Sequence, residues 1–70
     1  MIIVNKDVCK RIVYYRNRRN LSREELASNV GLNLKHLINI ESGIRIPRIN
    51  ELVQLAVGLD VSIDELVSCK

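Results

Sequence analysis

The chain has no tryptophan and no phenylalanine, and only two tyrosines, two cysteines, one histidine and one proline. Each shortage closes a class of protein. Two cysteines, Cys9 and Cys69, are too few for a disulfide scaffold. Neither sits in a CxxC or Cys/His spacing, so both read as reduced thiols. A single histidine leaves a Cys/His zinc site almost without ligands. Neither metal nor cofactor is expected. No apolar run approaches the roughly 20 residues of a membrane span. The opening "MIIV" is too short for a signal peptide and lacks its charged start. A cytoplasmic protein with no membrane partner is expected. No nucleophile–base pair, phosphate loop or carboxylate dyad is visible. A helical domain of 70 residues also has little room for a ligand-sized pocket, so an enzyme is not expected.

What is present is apolar content and uneven charge. Hydrophobic residues make up 47% of the chain, too many for a disordered segment. Seventy residues give one domain with a core of marginal size, which favours oligomerisation. The net charge of +3 is divided unequally. Residues 1–20 carry Lys6, Lys10, Arg11, Arg16, Arg18 and Arg19 against Asp7 alone. Residues 49–70 carry only Lys70 against Glu51, Asp60, Asp64 and Glu65. One end is basic and the other acidic, which suits a polyanion on one face and something else on the other.

Every clear segment reads as helix. Val8, Ile12 and Tyr15 recur at i, i+4 and i+7, and Asn20 is a left-handed stop. Ser22 and Glu25 form a capping box for a second helix with Leu26, Ala27 and Val30 inward. Gly31 ends it. Asn33 caps a third helix, from Leu34 to about Ser42, with Leu32 and Leu37 spaced as a staple. Gly43 stops that helix, and Pro47 punctuates the loop "GIRIPR". Ile49, Leu52, Val53, Ala56 and Leu59 give a fourth helix, weakened by Gly58. Ser62 and Glu65 open a short fifth with Ile63, Leu66 and Val67 on its apolar side. The expected fold is an all-α, compact five-helix domain spanning residues 1–70, without repeats or linkers. Within it, residues 22–42 have the lengths and glycine turn of a helix-turn-helix. Residues 1–6 are a β-branched start, read as an arm or short strand, ordered against a partner or fraying.

The stretches "IVYYRNRRNLSREELA", "VGLNLKHLINIESG", "RIP" and "ELVQLAVGLDVSIDEL" follow one another without interruption. In that order the sequence resembles the Cro/repressor-type (Xre-like) helix-turn-helix family of phage and bacterial regulators, over roughly residues 8 to 67. The resemblance implies a lambda-repressor-like DNA-binding domain and a dimeric transcription regulator, most often a repressor, on double-stranded DNA with a palindromic operator. It implies an ion pair between Arg16 and Glu41. It places the base-reading positions at Leu34, Lys35, His36 and Asn39, and phosphate contacts at Arg16, Ser22, Arg23, Arg45 and Arg48. Arg23 stands where the family usually has glutamine, and Arg48 where a small hydroxyl residue usually caps the fourth helix.

The chemistry of those positions agrees with the implied roles. Lys35 can donate to guanine O6 and N7, and Asn39 can pair with adenine N6 and N7. His36 can donate to a base or a phosphate, and Leu34 can pack on a thymine methyl. Residues 57–70 are expected to dimerise through Val57, Val61, Ile63, Val67 and Cys69, because they offer more apolar surface than so short a helix can bury. A second reading is a protein-interaction module on the same scaffold, or a regulator acting with a protein partner. It rests on Val13, Tyr14, Leu34 and Ile38, all apolar or aromatic where exposure is expected.

Overall fold

Caps and left-handed residues divide the chain into short helices. The computed structural model describes the backbone of residues 2–3 and 6–69 and the side chains of residues 6–67. Five helices run in order: α1 (Lys6–Arg18), α2 (Arg23–Val30), α3 (Leu34–Glu41), α4 (Ile49–Leu59) and α5 (Ile63–Leu66). A two-residue strand lies at each end, β1 (Ile2–Ile3) and β2 (Ser68–Cys69). They pair antiparallel within the chain, Ile2 opposite Cys69 and Ile3 opposite Ser68. The rest of the expected arm, at positions 1, 4 and 5, lies outside the described residues. The all-α expectation is met by the five helices, with the strand pair as a small addition. No helix among the described residues is long and apolar enough to cross a membrane.

The punctuation follows local chemistry. Ser22 Oγ accepts from the Glu25 N–H at 3.0 Å, and the Glu25 carboxylate accepts from the Ser22 N–H at 2.9 Å. These bonds from Ser22 hold the Glu25 carboxyl below its ordinary range. Asn33 Oδ1 accepts from the Lys35 N–H at 2.8 Å and starts α3. Asn20 and Asp60 adopt φ of 55° and 56°, which short polar side chains tolerate.

Val8, Ile12, Leu26, Leu37, Ile40, Leu52, Leu55, Leu59 and Leu66 form the interior, with α2 packed on α3 and α4, and α1 crossing α3, α4 and α5. The expected inward stripe of α4 needs correction. Leu52, Leu55, Ala56 and Leu59 face the core, whereas Ile49 and Val53 are exposed. Apolar residues cover more than half of the circumference of α4, so periodicity alone does not choose its inner face. Gly58 has a packing reason: a Cβ there would collide with Val30 Cγ1, so glycine lets α2 and α4 approach closely.

Candidate nucleic-acid interface

The turn between α2 and α3 fixes the site. Gly31 takes φ of 72°, a left-handed conformation that glycine adopts without strain. The Leu32 N–H donates back to the Ala27 carbonyl at 2.9 Å, and Asn33 then opens α3. Leu37 and Ile40 anchor α3 from below. Lys35 is exposed and Asn39 half-buried on the outer side, and Leu34 and Ile38 sit at the margin of exposure. Asn33, Lys35, His36 and Asn39 border an open hollow of about 370 Å³. Val13, Arg16, Arg23, Ile38, Glu41 and Ser42 border another of about 270 Å³. Ile38 therefore shares a hollow with Val13 of α1 instead of standing as a lone apolar projection.

Arg16 and Glu41 meet at the end of α3. Arg16 Nε donates to Glu41 Oε2 at 2.8 Å, and Nη2 to Oε1 at 3.0 Å. Nη1 donates to the Leu21 carbonyl at 2.8 Å. The two side chains are 11% and 6% exposed. The Arg16 guanidinium is sunk and engaged, and ties α1 to α3. Arg23 remains exposed, with Nε 3.5 Å from Glu41 Oε1. Ser22 is exposed and accepts the cap bond, which leaves its hydroxyl proton able to donate. Arg48 is exposed at the start of α4. It supplies no side-chain cap; its N–H donates to Glu51 Oε1 at 2.8 Å instead. On the tail of α1, Arg18 stacks on Tyr14 and Arg19 pairs with Asp60 at 3.0 Å.

A second cluster was not anticipated. Arg45 Nη2 donates to both oxygens of Glu51 at 3.1 Å, and Nη1 lies 2.6 Å from His36 Nε2. His36 Nδ1 is 4.0 Å from Glu51 Oε2. Glu51 is the buried charged residue among those described. Burial raises its pKa, but the Arg48 N–H, the Arg45 guanidinium and His36 outweigh that and hold the carboxyl below its ordinary range. Cys9, a buried thiol whose pKa burial raises, donates to the Arg45 carbonyl at 3.7 Å. Arg45, expected at a phosphate, and His36, expected at a base, hold each other in this geometry. One signal was readable: Glu51 stands three residues after Arg48, the spacing of a capping box.

The expected dimer residues divide. Val57 is 76% exposed, and Val61 and Ile63 are half-buried against the core. Val67, expected on the dimer face, is 2% exposed and belongs to the chain's own interior. The short α5 turns it inward beside Leu66. The side chain of Cys69 lies outside the described residues. Ile49 and Val53 join Val57 at i, i+4 and i+8, giving α4 an exposed apolar stripe.

The comparisons with known proteins point one way. A helix-turn-helix family model matches residues 12–66. The chain is similar to the restriction-modification controller protein C.AhdI from Aeromonas hydrophila, at 30% identity and a TM-score of 0.82, over 86% of this chain and 91% of that one. It is similar to the N-terminal DNA-binding domain of SinR from Bacillus subtilis, at 32% identity and a TM-score of 0.84, over 89% of this chain and 91% of that one. SinR, a master regulator for biofilm formation, in complex with DNA aligns at 33% identity and a TM-score of 0.81, over 84% of this chain and 95% of that one. No curated protein matches the chain.

Proposed function

We propose, from the premise that the chain belongs to the Cro/C1-type helix-turn-helix family of DNA-binding transcription regulators, that it reads double-stranded DNA with α3 in the major groove. The carrying observation is the placement of Lys35 and Asn39 on the outer side of α3, opposite the buried Leu37 and Ile40. An ammonium and an amide at that spacing read guanine and asparagine's partner adenine by direct hydrogen bonds. Leu34 adds a surface for a thymine methyl. Arg23, Arg48 and Ser22 are exposed and suit phosphates.

The regulator acts as a homodimer on a palindromic operator, and repression is its expected mode. The support for a second copy is the outer surface of α4. Its exposed residues, Ile49, Asn50, Val53, Gln54 and Val57, carry no charge on a chain of net charge +3. Two copies of like charge can meet there without repulsion, and a two-fold contact places two α3 helices on one operator. Sedimentation velocity at tens of micromolar, where regulator dimers ordinarily persist, shows a dimer on this account; a monomer contradicts it.

The test of DNA reading is selection of bound duplexes from a random library at about 150 mM salt, where weak phosphate binding is suppressed. A palindromic consensus is the expected result. Absence of enrichment favours the second reading, a protein-binding module, for which the observation is the marginal exposure of Leu34 and Ile38 on the same helix.

A further inference from the structure

The cluster of His36, Arg45 and Glu51 joins the reading helix to α4 through one proton. An arginine guanidinium has only donors and stays charged. Arg45 Nη1 lies 2.6 Å from His36 Nε2, so that nitrogen must accept, and the ring carries its proton on Nδ1, facing Glu51 Oε2 at 4.0 Å. The arrangement thus specifies a neutral His36 of one tautomer. Glu51 is buried and fixed by three further contacts, two from Arg45 Nη2 and one from the Arg48 N–H. It cannot turn away without leaving a buried carboxylate unpaired. The Arg45 side chain is 28% exposed and His36 43%, so both can swing to solvent or to a phosphate.

We infer that His36 is a proton-linked contributor to DNA binding, positioned by Glu51 through Arg45. The inference rests on the DNA-reading function proposed above. With His36 neutral, Arg45 and the ring satisfy each other, and the reading helix presents Lys35 and Asn39 alone. A proton on Nε2 leaves the guanidinium facing an N–H, and the contact breaks. The ring then carries a positive charge on the outer half of α3. Arg45 either remains on Glu51 or reaches a phosphate; in both cases the DNA-facing side gains cationic donors. Phosphates nearby favour the protonated ring, so binding takes up a proton and tightens as pH falls.

The charged and titratable groups around the ring come from each neighbouring element. Lys35 is beside it on α3, Arg45 faces it from the loop, and Glu51 and the Arg48 cap approach from α4. From α1, the Cys9 thiol touches the Arg45 carbonyl and Lys6 acts on that thiol. Glu51 is the one carboxylate of this set, and Arg45 already holds both of its oxygens. Protonated His36 therefore shares that carboxylate with Arg45 unless DNA supplies a second anion.

His36 is the chain's only histidine, which makes the test clean. Nitrogen-15 NMR of the full chain at neutral pH reads the tautomer without DNA. A proton on Nδ1 with Nε2 accepting is expected; a proton on Nε2 overturns the inference. Affinity for a random-sequence duplex and for a selected consensus duplex is then measured from about pH 8 to about pH 5.5 at fixed salt, across the range where histidine ordinarily titrates. Binding of the parent chain is expected to tighten about ten-fold. His36→Gln, which keeps an amide near Arg45, is expected to show a nearly flat profile, and Arg45→Gln a shallower one than the parent. Equal slopes for the parent and His36→Gln overturn the inference while leaving DNA reading intact. No binding to either duplex at any pH removes both.

Discussion

Two arginine–carboxylate pairs brace α3, one at each end, and they differ in what they can do. At the C-terminal end Arg16 meets Glu41 through two short bonds, with a third donor on a backbone carbonyl. Every partner there is a guanidinium, a carboxylate or backbone. That pair can hold a geometry but has no ready means of changing it. Near the N-terminal end Arg45 meets both oxygens of Glu51 through Nη2 alone, and its Nη1 ends on an imidazole. The second pair is more open, and one proton can rearrange it. The same motif thus serves as a rivet at one end of the helix and as a hinge at the other.

The largest expected effect separates the two by stability. Glu41→Ala leaves Arg16 buried without its partner, and breaking such a pair costs about 3–5 kcal/mol. Glu51→Ala strands a more open arginine, and about 1–3 kcal/mol is expected. Denaturant unfolding of both variants measures the difference. A greater loss from Glu51→Ala would reverse the assignment of rivet and hinge.

Next come the side chains between the two pairs. Lys35→Ala and Asn39→Ala are expected to cost about 1–3 kcal/mol on the selected duplex and to relax preference at one base pair each. Equal loss on every sequence would remove them as readers. The exposed arginines are expected to act through salt. Arg23→Ala lowers the slope of log affinity against log salt by about 0.9, the value of one phosphate contact. Arg45→Ala, measured near pH 8 where Arg45 is held by His36 and Glu51, changes that slope by less. A full unit lost from Arg45 at that pH would show that Glu51 does not restrain it.

The smallest effect concerns acid. Glu51 titrates below its ordinary range in the folded chain. Its contribution to stability is therefore complete above the unfolded-state value and fades as pH falls through the lower, folded value. Thermal unfolding of Glu51→Gln across the acidic range should lose that part of the parent's pH dependence. An unchanged acid profile would argue against the Arg45–Glu51 pair.

How much of this was legible depends on distance along the chain. The caps at Ser22 and Asn33 depend on bonds across two or three residues, and the turn at Gly31 on bonds across three to five, so the sequence displays them directly. Arg16 and Glu41 lie 25 positions apart, and no local rule joins them; only the family resemblance does. Glu51 could have been placed from its spacing to Arg48. Its capture of Arg45 and His36 could not, because that depends on the path of the loop at residues 42–48. The surface of α4 was misread for another reason. With valine, isoleucine and leucine around more than half of its circumference, burial is decided by neighbours and not by period; Val67 goes to the core because α5 ends at Leu66 and the extended chain turns it inward.

The most direct test of the account is the ratio of affinities for a selected duplex and a scrambled duplex of the same composition, at about 150 mM salt. A sequence reader is expected to prefer the selected duplex by about a thousand-fold or more, with part of that preference lost in Asn39→Ala. Equal affinity for both duplexes, falling together as salt rises, would contradict it and leave α3 as a surface for something other than bases.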